Sequence, residues 1–193
     1  FYGIEPWHDD GMGICLVEAR TGKTIWSLGK PTKHIGDAMV ADIDPASPGL
    51  ECFATEDAKG GSRERFLLSA AGKLLGQGQD VPACRNWIFW DGDRLRETIG
   101  GGFGRRLSIV KYKGATLTEG IEGAVLMMAD LSGDWREELV VSLTGELRIY
   151  STTIPAKDRR VCLMQDPAYR AEVAHRSMGY EQSPVTGYYL GEK

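Results

Sequence analysis

No apolar run in the 193 residues reaches the 18 or so needed for a membrane-spanning helix, so no membrane partner is expected. No run of lysine or arginine is long enough to track a phosphate backbone, and the net charge is −4. Nucleic acid is therefore an unexpected partner, and an anionic substrate has to be met by local cations. Cysteine is scarce: Cys15, Cys52, Cys84 and Cys162 stand singly, without the pair spacing of a zinc site. Cys15 and Cys52 lie in apolar runs, where free thiols are usually buried. Helical signals are nearly missing as well. The one helical segment runs from Asp166 to Gly179, with Asp166 as cap, Pro167 at the first position and Gly179 as a left-handed stop. The sequence starts at Phe1 without a secretory leader, and FYGIEPW reads as the end of a repeat, so the chain is expected to be part of a longer protein.

What is present is a repeat of short strands. Hydrophobic residues make up 42% and charged residues 26% of the chain, a balance that allows a packed core. Ile14 to Val17 and Thr24 to Trp26 flank a Thr21-Gly22 turn, and the segment from Arg65 to Leu75 turns at Ala71-Gly72 in the same way. From Ala124 to Tyr150 come an apolar run, an acidic turn, a second apolar run and a Thr-Gly turn. ADIDPASPGLECF, from Ala41, and ADLSGDWREELVV, from Ala129, are two copies of one unit, set two periods of about 44 residues apart. Blades of a β-propeller have this length and about four short strands each, so the expected fold is an all-β propeller with one short C-terminal helix.

Several constellations could carry chemistry. Asp42, Asp44 and Glu51 share one loop; Asp130, Ser132, Asp134, Glu137 and Glu138 share another. Closely spaced carboxylates surround one concavity with hard oxygens, as Ca²⁺ requires, and no histidine or cysteine stands near to indicate zinc. They can equally cap turns by accepting backbone N–H groups, and both readings stay open. Asp10, beside His8 and Asp9 in WHDDG, is a further candidate metal ligand. Lys33 and His34 precede a strand whose entry would open on the central channel of a propeller, which makes them the candidate catalytic pair. Arg85 could grip a uronate carboxylate, and Trp87 or Trp90 could stack on a sugar ring, although alternating aromatics also read as blade core. The Gly-rich GGGFGRR at Gly100 lacks the strand-to-helix setting of a phosphate loop.

ADIDPASPGLE, WDGDRLRE, ADLSGDWREEL, LRIYSTT and LMQDPAYRAEVAHRSMGYEQSPVTGYYLG together resemble the C-terminal part of the rhamnogalacturonan lyases of polysaccharide lyase family 11, over Gly3 to Gly191. The resemblance implies a propeller of about eight blades, of which residues 1–193 form a partial domain of about four, the N-terminal blades being missing. It implies a Ca²⁺ cofactor, for which the acidic turns offer Asp42, Asp44, Glu51, Asp130, Asp134 and Glu138. It also implies β-elimination within an acidic pectic polysaccharide and a full-length parent that is secreted or periplasmic. Family members carry a basic residue in a Gly-Arg-Gly-Met segment and a lysine in an Asn-Gly-Thr-Lys segment. Those positions fall here on Asp37 and Glu122, both on the substrate side. Elimination needs a cation against the uronate carboxylate and a base for the proton α to it, so the two reversals shift the cationic role to Lys33, Arg85, Arg105 or Arg106. A noncatalytic glycan-binding or structural propeller is the alternative.

Overall fold

The computed structural model describes residues 2–3, 11–57, 64–82, 85–101, 106–179 and 182–191. The chain divides into two units, Phe1–Ala83 and Cys84–Lys193. In the first, the Thr21-Gly22 turn joins β2 (Ile14–Val17) to β3 (Thr24–Ser27), and β1 (Tyr2–Gly3) pairs with the other edge of β2. β4 (Ile35–Ala41), β5 (Glu51–Glu56), β6 (Arg65–Ser69) and β7 (Leu74–Gln77) then follow one another across a four-stranded sheet. The second unit has one four-stranded sheet of β8 (Trp87–Ile88), β9 (Glu97–Gly100), β10 (Leu107–Val110) and β11 (Thr116–Ile121). Its other sheet has three strands, β12 (Ala124–Ala129), β13 (Glu138–Leu143) and β14 (Glu146–Tyr150). Every pairing is antiparallel and joins strands consecutive in the chain, the meander that short turns permit.

Each unit has its own core because the central strands bury both faces. In the first, Ile14 packs with Cys52, Ala54, Phe66 and Leu68, joining the two sheets. In the second, Ile88, Ile99 and Ile109 meet Met128, Leu139 and Val141. Cys15 and Cys52 are buried free thiols, and burial pushes Cys52 up to about 11; Cys84 lies outside the described residues.

Trp26 Nε1 donates to the Ala70 carbonyl at 2.8 Å and lays its indole against the Ala71-Gly72 turn. Gly72 has φ 82°, and a Cβ there would lie 2.6 Å from Trp26 Cγ. Left-handed backbone and close packing both exclude a side chain. Gly72→Ala is expected to cost about 1–3 kcal/mol, read as a lower urea midpoint at unchanged m-value. An unchanged midpoint would contradict this packing.

The expected helix is α1 (Pro167–Ser177). Asp166 accepts from Ala168 N at 3.0 Å, and Gly179 follows the helix at φ 98°. Tyr169 and Val173 pack against Ala129, Trp135 and Leu163. Arg176 ties down the last turn, donating to Leu126 O and Asn86 Oδ1, each at 2.9 Å. No helix among the described residues is long and apolar enough to cross a membrane.

Candidate functional site

Three loops repeat one device. Glu51, Glu97 and Glu138 are the first residues of β5, β9 and β13, and each turns its Oε2 back onto the loop before it. Glu51 Oε2 accepts from Ile43 N at 3.0 Å and Asp44 N at 3.2 Å. Glu97 Oε2 accepts from Trp90 N at 2.9 Å. Glu138 Oε2 accepts from Leu131 N at 2.8 Å and Ser132 N at 2.9 Å. Backbone donors that the strand ladder cannot reach are thereby satisfied by a carboxylate.

The loops differ at the other oxygen, Oε1. Glu138 Oε1 accepts from the hydroxyls of Ser132 (3.1 Å) and Ser151 (3.2 Å), so its four acceptor sites are all used. Asp130 is similarly engaged, with Oδ1 accepting from Gly133 N and Oδ2 from Trp135 N and Leu163 N. Those bonds hold the buried Trp135 at φ 71°, an unusual conformation for a bulky residue. Asp134 pairs with Arg136 instead. In this loop the carboxylates cap the turn, one of the two readings that the sequence left open for Asp130, Asp134 and Glu138.

Glu51 Oε1, in contrast, is buried and makes no hydrogen bond of full geometry, although the Ser47 hydroxyl is near enough to act on the carboxylate. Burial raises the Glu51 carboxyl above its ordinary range, the Ile43 N–H, the Ser47 hydroxyl and the Asp44 N–H pulling the other way and the Asp42 charge adding to the rise. Asp44 Oδ1 accepts from Ala46 N at 2.9 Å. A buried carboxylate oxygen without a full hydrogen bond, near a second carboxylate, suits a cation. Even so, Asp42, Asp44 and Glu51 do not gather three oxygens closely; among the described residues only Asp91, Asp93 and Glu97 do, within 4.8 Å.

That triad holds a lysine. Lys111 Nζ lies 2.7 Å from Asp91 Oδ2, 2.6 Å from Asp93 Oδ2 and 3.1 Å from Glu97 Oε1. Burial pushes Glu97 up to about 7, opposed by the Trp90 N–H and by Lys111. Burial works against the Lys111 charge, but hydrogen bonds to Asp91 and Asp93 outweigh it and hold the ammonium above its usual range.

Lys33, His34 and Asp37 cluster where β4 begins and β5 ends. Lys33 N donates to Glu56 Oε1 at 2.8 Å, and its side chain is exposed. His34 Nε2 stands 3.7 Å from Asp57 Oδ2, and Asp57 N donates to the His34 carbonyl. The close approach of Asp57 requires glycine at position 36, where a Cβ would lie 2.6 Å from Asp57 Cβ. Asp37 pairs in register with Thr55 across a bulge.

Arg85 is exposed and belongs to the other unit. Trp87 and Trp90 are core residues, 1% and 4% exposed. The Trp90 indole donates to Thr118 Oγ1 at 3.0 Å. Both rings are packed inside, Trp87 in the short strand β8 and Trp90 in the loop after it, the blade-core reading that alternating aromatics also allow. Glu122 pairs with Arg106 at 2.9 Å and with Arg148 at 3.4 Å. Asp10, with His8 and Asp9, and Arg105 lie outside the described residues.

Sequence reasoning missed two arrangements. Glu97, at the end of WDGDRLRE, was not singled out, although it opens its strand as Glu51 and Glu138 do. A buried network was also missed: Arg96 donates to Glu137, the Trp87 carbonyl and the Pro184 carbonyl, and Tyr169 Oη donates to Glu137 Oε1 at 2.7 Å.

A family profile described as rhamnogalacturonan lyase family 11, C-terminal domain, matches residues 1–193. Among curated proteins, the rhamnogalacturonan endolyase YesW of Bacillus subtilis (strain 168) is 38% identical over 206 residues, which cover 98% of this chain and 31% of YesW. The rhamnogalacturonan exolyase YesX of the same organism is 30% identical over 213 residues, covering 98% of this chain and 34% of YesX. The chain spans about a third of the length of the curated relatives it matches. Among solved structures, the exotype lyase YesX aligns with TM-score 0.79 at 28% identity, covering 98% of this chain and 34% of that one. YesW aligns with TM-score 0.75 at 36% identity, covering 98% and 32%.

Proposed function

The chain belongs to rhamnogalacturonan lyase family 11, and on that premise we propose that it contributes blades of a β-propeller to a polysaccharide lyase acting on a rhamnogalacturonan-like acidic pectic polysaccharide. The end-to-end family match carries this reading. Four successive meander sheets, three of them with the same glutamate device, support the propeller. Further blades of a longer polypeptide complete it, and the parent is secreted or periplasmic, where such a polysaccharide is met.

In β-elimination a cation neutralises the uronate carboxylate, a base removes the proton α to it, and the sugar oxygen at the β position leaves, creating a double bond. His34 is the proposed base, oriented by Asp57, with Lys33 supplying positive charge and Asp37 bordering the substrate. Ca²⁺ would be held by Glu51 and Asp42 with Asp44 close by, where it would neutralise buried carboxylates and stiffen the loop. Calcium at 100 times its Kd is expected to stabilise the protein by about 2.7 kcal/mol, seen as a thermal midpoint that falls on chelation. Glu51→Gln should remove that response; a wild-type midpoint indifferent to chelator would remove calcium from this loop.

Incubation of the full-length gene product with rhamnogalacturonan tests the activity. The expected result is rising ultraviolet absorbance from the unsaturated uronate product. A second reading, a glycan-binding propeller without turnover, is favoured by Glu122, whose carboxylate stands where the family resemblance implies a lysine and engages Arg106 and Arg148. Saturable binding with no product would establish that reading and exclude the lyase.

A further inference from the structure

We propose that Lys111 is a built-in cation that takes the place of a divalent metal in the Asp91–Glu97 loop, and that removing its ammonium opens a divalent-cation site there. This goes beyond the lyase reading and does not depend on it. An ammonium has three N–H donors and no acceptor, and Lys111 meets one oxygen from each of three carboxylates. Its donor set is thus used in full. The oxygens already lie within 4.8 Å of one another, close enough to share one cation. A hard divalent ion would draw such oxygens to within about 2.3–2.6 Å of itself, so it and the ammonium cannot occupy the same space.

The comparison among loops strengthens the assignment. Glu51, Glu97 and Glu138 hold the same strand position and point the same oxygen back to the loop. Their remaining oxygens meet three different environments: no hydrogen bond of full geometry at Glu51, the ammonium at Glu97 and two hydroxyls at Glu138. Glu97 is fully buried and cannot take its charge balance from water. The lysine is delivered by backbone, since Lys111 N donates to Ala115 O at 3.0 Å and its carbonyl accepts from Gly114 N at 3.0 Å, closing the β10–β11 turn. A Cβ at Gly114 would lie 2.9 Å from Lys111 Cβ, so the turn also leaves room for the lysine stem. Asp91 and Asp93 are pre-shaped, with Asp93 N bonded to Asp91 Oδ1 and Leu95 N to Asp93 Oδ1.

Amide exchange in the wild-type full-length product and in Lys111→Met, each in chelator and in millimolar calcium, tests the proposal. In the wild type, protection of residues 89–97 should be the same in both media. In Lys111→Met it should fall roughly tenfold or more in chelator and return with calcium. Local acceleration of residues 89–97 in the wild type on chelation, with β13 unchanged, would show that a metal and not the lysine holds the loop. A variant whose loop ignores both chelator and calcium would equally overturn the assignment. If Lys111→Met folds only with calcium, that supports it; if it folds in neither medium, the wild-type comparison decides.

Discussion

Glu137→Ala is expected to destabilise the second unit by about 3–5 kcal/mol, because it leaves the Arg96 guanidinium as a buried charge without its carboxylate. Glu137 is 0% and Arg96 3% exposed at the side chain. Glu137 Oε2 accepts from Phe89 N at 2.9 Å and from Arg96 at 3.2 Å, and Oε1 accepts from Tyr169 Oη at 2.7 Å. Burial pushes this carboxyl above its ordinary range, while the Arg96 guanidinium, the Tyr169 hydroxyl and the Phe89 N–H pull the other way. The same Tyr169 hydroxyl accepts from Asp130 N at 3.1 Å, so one deletion loosens helix α1, the β8–β9 segment and the Trp135 loop together. Arg96 also lies 4.1 Å from the Phe89 ring centroid, a contact that loses its geometry with the pair. Urea unfolding of Glu137→Ala, Arg96→Met and the double variant measures the coupling. The double variant should cost less than the two single ones combined, whereas simple additivity would mean that the pair does not act as a unit.

His34→Ala is expected to lower kcat on rhamnogalacturonan by about 10²–10⁴-fold, the usual contribution of a positioned general base. Its side chain is 36% exposed at the start of β4, so stability should hardly change. Asp57→Asn should act through His34, lowering kcat more than it raises KM. Loss of binding with kcat intact would instead make His34 a substrate contact.

Local chemistry was the legible part of this chain. The Thr-Gly and Ala-Gly turns, the Asp166 cap and Pro167 each act within a few residues, so hairpins and helix could be read directly. The repeat between Ala41 and Ala129 was visible because the same strand–loop–strand device recurs. What fills each acidic loop was not visible, since the deciding groups come from elsewhere in the fold. Lys111 reaches Asp91 from the far end of β10, and Ser151 reaches Glu138 from beyond β14. Glu137 and Glu138 are adjacent in sequence, yet one enters the core with Arg96 and the other staples its loop. The burial of Trp87 and Trp90 was not visible for a related reason: their alternation does not follow one strand, since β8 ends at Ile88 and Trp90 packs from the loop beyond it.

Product analysis tests the account of function most directly. Digestion of rhamnogalacturonan by the full-length gene product, followed by mass spectrometry, should give oligosaccharides with an unsaturated uronate at the new end. Each would be lighter by one water than the corresponding hydrolysis product. Saturated products would mean hydrolysis, and an intact polymer would mean a binding protein; either would contradict assignment of this chain to a working lyase.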